Sequence, residues 1–124
     1  MDAALKEFVV PLLRLKGFKG SLPHFRRALP HHIELLTFQF DKWGGGFVLE
    51  IARCPTSGIV TSWGKSIAPN KVTAWDTNER ERIQPGNGHG TESWFRFDTE
   101  PVQNVAAQVV NLLPRAEAWW QQHA

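Results

Sequence analysis

Few residues in this chain have the type and spacing that chemistry needs. His31 and His32 are adjacent, so on a strand they point to opposite faces and cannot share a metal ion. No cysteine or carboxylate stands beside them at ligand spacing, and a metal site is not expected. Cys54 is the single cysteine, followed by Pro55, with no nucleophile-elbow pattern around it; it reads as a small core residue rather than a nucleophile. Gly86-Asn87-Gly88-His89-Gly90 resembles a phosphate cradle in composition. It lacks the Lys-Ser/Thr pair of a P-loop, and no helix opens directly after it. Glu79 and Glu81 alternate with Arg80 and Arg82, which reads as an ion-paired strand and not as an acid–base pair. No catalytic residue and no cofactor is therefore assigned.

The residues suited to recognition stand out more. Trp63 and Trp75 lie in polar, irregular stretches, and tryptophan and arginine are the types enriched at interface hot spots. Arg80, Arg82 and Arg96 can frame the same patch, with Glu50 beside them. His89 completes the candidate partner-binding set of Trp63, Trp75, Arg80, Arg82, His89 and Arg96. In a competing enzymatic reading, the 86–90 loop binds a small molecule or nucleotide in a pocket where His89, Arg82 and Glu50 or Glu92 converge. A third reading takes Arg14, Lys16, Lys19, Arg26 and Arg27, a run without an intervening acid, as a weak nucleic-acid contact.

These residues need a scaffold. Leu5, Phe8, Val9, Leu12 and Leu13 form one apolar stripe, which predicts an N-terminal helix bent by Pro11 and stopped at Gly17. Short strands are predicted at His24–Leu29 and, more extensively, at His32–Lys42. In the longer one Ile33 and Leu35 share one face while Leu36, Phe38 and Phe40 share the other. Either a bulge near Leu35–Leu36 or burial on both faces accounts for this. Gly44-Gly45-Gly46 then supplies a tight turn, and Phe47, Leu49 and Ile51 alternate along the next strand. Residues 55–70 read as loop with a short strand at Ile59–Trp63. Val72–Trp75 and Trp94–Asp98 read as further short strands. Thr99 and Pro101 open a C-terminal helix with a stripe of Val102, Val105, Ala106, Val109, Leu112 and Leu113. Pro114 is expected to kink that helix or start a new one, leading to Trp119 and Trp120.

Short connections between neighbouring strands favour an antiparallel sheet. The fold expected is α+β: an antiparallel sheet of about four to six strands, with the N-terminal and C-terminal helices packed on one face. Glu50 and Arg96 are expected on the other, wetter face.

Length and composition fit this plan. A chain of 124 residues makes one domain, 1–124, and can bury roughly two thirds of its unfolded surface without disulfides or metal. Six Trp and eight Phe, with no Tyr, supply a bulky core. A net charge of +2 argues against strong nucleic-acid or membrane affinity. One cysteine, no basic leader and no run of about 20 apolar residues predict a cytoplasmic location.

The stretches Leu12-Leu13-Arg14-Leu15-Lys16-Gly17-Phe18-Lys19 and His24-Phe25-Arg26-Arg27 carry a family resemblance. So do Leu36-Thr37-Phe38-Gln39, Lys42-Trp43-Gly44-Gly45-Gly46-Phe47-Val48-Leu49, Arg82-Ile83 ahead of Trp94, and the closing Val109–Leu113 helix. Across roughly residues 5–120 the chain resembles the bacterial domain-of-unknown-function family 4304. The stretch 55–79 and the loop 86–90 lie outside the matching pieces. The resemblance implies no established activity and no catalytic residues; small bacterial families of this kind sometimes supply immunity proteins for secreted toxins. The expected function is a non-enzymatic protein-interaction domain with a protein partner, a toxin being one candidate.

Overall fold

The computed structural model of the chain describes residues 2–77, 79–85 and 94–122. Two short helices, α1 (Asp2–Phe8) and α2 (Val10–Leu15), open the chain. The break falls at Val9, just before Pro11, whose ring occupies the first turn of α2 where a missing N–H costs nothing. At the end of α2, Phe18 N–H donates to Leu13 O (2.9 Å) and Gly17 N–H to Arg14 O (3.1 Å). Gly17 takes φ +97°, which a residue with a Cβ adopts only with strain. This Schellman ending is how the helix stops at Gly17, as the sequence predicts.

Among the described residues eight strands follow: β1 (Lys19–Ser21), β2 (His24–Ala28), β3 (Ile33–Phe40), β4 (Gly46–Cys54), β5 (Ile59–Val60), β6 (Ser66–Ile67), β7 (Arg80–Ile83) and β8 (Phe95–Arg96). Helix α3 (Val102–Gln122) closes the chain. The main sheet is antiparallel in the order β1-β2-β3-β4-β7, and β8 also pairs with β4. Strands β5 and β6 form a separate hairpin.

One face of the sheet carries Phe25, Leu36, Phe38, Phe47, Leu49, Ile51, Ile83 and Phe95. Leu5, Val9 and Leu13 from the first helices and Val105, Ala106, Val109, Leu113, Ala116 and Trp120 from α3 cover it as one core. The helices touch each other and the sheet, as the α+β expectation requires. Pro114 neither ends nor restarts α3, which runs on through it with Pro114 on the exposed side.

The β3–β4 register is unbroken from Ile33 opposite Cys54 to Phe40 opposite Phe47, so there is no bulge. Strand β3 is instead buried on both faces. Its second face belongs to a smaller core of Ile33, Leu35, Ala52, Cys54, Val72 and Ala74, with Ile59 and Ile67 packed against it. Two expectations change here. Residues 72–75 form no strand: Ala74–Asp76 is a single 3₁₀ turn, closed by a reciprocal Thr73–Asp76 cap. The second face is not simply wet, because the 55–77 segment folds back over it. Glu50 lies on that face, as expected, but is only 5% exposed. No helix among the described residues is long and apolar enough to cross a membrane.

Candidate interaction surface

Strand pairing lays a row of polar side chains across the second face. His24 stands opposite Thr37, Thr37 opposite Glu50, and Glu50 opposite Arg82. His24 Nδ1 is 2.9 Å from Thr37 Oγ1, and Arg82 donates to Glu50 Oε1 through Nη2 (2.9 Å) and Nε (3.2 Å). An indole stands at each end of the row. Trp75 meets the His24 ring edge-on, at 4.8 Å and 89°, and the Arg82 guanidinium lies 5.7 Å from the centre of the Trp94 ring. Burial holds the His24 imidazole below its ordinary pKa, with Arg26 adding to the effect and Asp76 opposing it. Thr37 is fully buried, so its hydroxyl is out of reach of a substrate. The row reads as a polar rib of the sheet, not as an acid–base pair with a nucleophile.

Arg26 fastens the 55–77 segment next to this row. It donates to the carbonyls of Pro69 and, at 2.8 Å, of Val72. Pinned there, the segment presents two indoles. Trp63 sits at the tip of the β5–β6 hairpin, where Thr61 N–H donates to Lys65 O (2.8 Å) and Gly64 N–H to Thr61 O (2.9 Å). It is 75% exposed, and Trp75, in the capped 3₁₀ turn, is 47% exposed. Between them opens a cleft of about 380 Å³, lined also by Arg53, Asp76, Glu79 and Arg80. A second cleft, about 490 Å³, lies between Trp94, Gln39 and the β3–β4 turn. Trp43 is 85% exposed at that turn, with Lys42 Nζ 5.2 Å from its ring centre.

The candidate set therefore divides. Trp63, Trp75 and Arg80 share one cleft. Arg82 lies one rung along, paired with Glu50. Arg96 lies near the second cleft, its Nη1 3.8 Å from Asp41 Oδ2. His89, Glu92 and the 86–90 loop fall outside the described residues. Sequence reasoning overlooked His24, Trp43 and Arg53. For Trp43 there was a signal: a tryptophan beside Lys42 in a glycine-rich hairpin turn has little core to enter. For His24 and Arg53 there was none, because Trp75 and the Trp63 cleft reach them only once the 55–77 segment folds back.

The basic run 14–27 does not form one patch. Arg14 donates to Gly20 O (3.0 Å). Arg26 faces the 55–77 segment, while Arg27 faces the helices and binds Glu34 Oε1 (2.7 Å) and Glu117 Oε2 (2.7 Å). Burial works against the Arg27 charge, but its bonds to Glu117 and Glu34 outweigh that and raise its pKa. Cys54 is buried, and desolvation pushes its thiol pKa up despite Arg26 nearby, the opposite of what a thiolate nucleophile needs. Among the described residues no three His, Cys, Asp or Glu side chains are grouped to hold a metal ion.

Compared with models of known families, residues 9–123 match the domain of unknown function DUF4304. No curated protein and no solved structure matches the chain.

Proposed function

The chain belongs to the DUF4304 family, and we propose that it is a non-enzymatic, cytoplasmic protein-interaction domain that covers a partner's site with its Trp63–Trp75 face. The observation behind this reading is Trp63, a 75% exposed indole held out on a hairpin tip beside a second exposed indole and a cleft. An indole left in water on an ordered turn has no folding role to explain it, and tryptophan is the residue type that most often dominates protein–protein binding energy. The chemistry of the surface suits contact: flat apolar rings, guanidinium donors and carboxylates border one cleft. A bacterial toxin neutralised by occlusion is the partner class favoured here.

The test is co-expression of the tagged chain with proteins encoded next to it, followed by capture and, where the neighbour is toxic, a growth assay. Trp63→Ala and Trp75→Ala are expected to weaken capture at least tenfold each while leaving the fold intact. Capture indifferent to both substitutions, or a growth defect unaffected by the chain, would count against this reading.

A further inference from the structure

The first two helices carry a second apolar stripe on their outer side. Phe8, Pro11, Leu12 and Leu15 recur at i, i+3, i+4 and i+7, which is one helical face. That face stays continuous across the break at Val9, because Val9 N–H donates to Leu5 O (2.9 Å) and Leu13 N–H to Val9 O (3.0 Å). Leu5, Val9 and Leu13 enter the core, whereas Phe8 is 45% and Leu15 86% exposed, with Pro11 exposed and Leu12 half-buried between them. Single exposed apolar residues are ordinary on a protein surface, but four aligned on one helix face form a contact seam. Glu7 and Arg14 border this seam. They are seven residues apart, close to two turns, so both stand on the same flank, the acid toward one end and the cation toward the other. Both are exposed, and neither is in a salt bridge among the described residues. Arg14 engages the Gly20 carbonyl through Nη2 alone.

We infer that this seam receives a second copy of the chain, packed antiparallel about a two-fold axis that passes between Pro11 and Leu12. In a two-fold contact the same patch faces itself, so each residue pair occurs twice. The antiparallel arrangement sets Phe8 of one copy against Leu15 of the other, and Pro11 against Leu12 at the centre. It also puts Arg14 on the same flank as Glu7 of the second copy, about 3 Å apart along the helix axis, within reach of a guanidinium that binds carboxylates through paired hydrogen bonds. The order of charges is thus complementary to its own inversion. A parallel pair would instead set Glu7 level with Glu7 and Arg14 level with Arg14. A partner of one charge sign, or an anionic lipid surface, would attract one of these two residues and repel the other. The seam rises only about 10 Å along the helix, so the contact is small and belongs to the weak, concentration-dependent class. The helices cover one face of the sheet and the 55–77 segment the other, so both copies keep the Trp63–Trp75 surface open.

The experiment is sedimentation equilibrium of the full chain from micromolar to millimolar concentration. The average mass is expected to rise from monomer toward dimer, and Leu15→Glu should abolish that rise with an unchanged circular dichroism spectrum. Glu7→Arg alone and Arg14→Glu alone should each weaken association several-fold, more at low salt than at high salt, since exposed charge contacts are screened. The two together should restore it, because the pair is re-formed with its signs exchanged. All four positions lie at or near the surface, and the restoring double variant separates a lost contact from a damaged fold. A mass that stays monomeric at every concentration would overturn the inference. So would association that ignores Leu15→Glu, or a double variant no better than the single ones. A chain that remains monomeric yet sediments with phosphatidylserine vesicles through Leu15 would assign the seam to a lipid surface and overturn it as well.

Discussion

The Trp120 indole donates its Nε1–H to the carbonyl oxygen of Ala52, 2.9 Å away, and so joins the last turns of α3 to the middle of the sheet. The same ring lies 5.5 Å from Phe18, and the Arg27 guanidinium stands over both, 4.6 Å from the Phe18 ring centre and 5.5 Å from that of Trp120. Arg27 in turn binds Glu117, one turn earlier on α3. The C-terminal helix is thus held at its far end by one buried hydrogen bond, one aromatic contact and one ion-paired cation.

Trp120→Phe should lower stability by about 1–3 kcal/mol, because it leaves a buried carbonyl without its donor and removes part of the ring. Trp120→Ala should cost about 3–5 kcal/mol, since a cavity is added. Urea unfolding followed by far-ultraviolet circular dichroism measures both. A Phe variant as stable as the parent would mean that the Ala52 carbonyl is equally well served by water.

Stability should fall on mild acidification, in part through His24. Its folded-state pKa is held below the ordinary 6.5 by burial first, with Arg26 adding to this and Asp76 opposing it. Between the lowered value and 6.5 the unfolded chain binds more protons than the folded one. The contribution is therefore complete above the unfolded pKa and is lost as pH falls from there toward the folded pKa. His24→Gln cannot titrate, so its stability should decline less than the parent's between about pH 8 and about pH 5.5. The other histidines are common to both proteins and cancel in the comparison. Parallel pH profiles would show that the imidazole is not desolvated.

Gly58 controls how firmly the Trp63 hairpin is seated. Its φ is +91°, and a Cβ there would run into the Ile67 carbonyl and the Ala68–Pro69 backbone. Gly58→Ala should strain that unit by about 1–3 kcal/mol. The loss should be local, because β5 and β6 contribute only Ile59 and Ile67 to the smaller core. Cys54, buried beneath them with its thiol pKa raised by desolvation, reports the opening. Its alkylation by iodoacetamide under native conditions should speed up by about tenfold or more, while the urea midpoint moves little. An unchanged alkylation rate would mean that the hairpin does not guard Cys54.

Much of the scaffold was legible because local rules wrote it. Leu5, Val9 and Leu13 of the N-terminal stripe, Gly17 and the alternation of Phe47, Leu49 and Ile51 each depend on a few adjacent residues, and the structure bears them out, whereas Phe8 of that stripe stays 45% exposed. The same rules failed for Val72–Trp75. An apolar alternation of four residues fits a strand as well as a tight turn, and the Thr73–Asp76 cap chose the turn. They were also silent on whether Ile33 and Leu35 signalled a bulge or a second core, because the answer lies in Val72 and Ala74, some forty residues away.

By itself the sequence determined the class of fold, the stop at Gly17 and the central hairpin, since these follow from spacing and residue type. Only the tertiary structure decided that Arg26 and Arg27 serve opposite faces, that His24, Thr37, Glu50 and Arg82 make one row, and that Trp63 and Trp75 border a common cleft. The reason is physical. The row is set by the β2–β3, β3–β4 and β4–β7 registers, where a one-residue slip would turn side chains to the other side of the sheet, and the cleft by a hairpin tip and a 3₁₀ turn brought together as the 55–77 segment folds back.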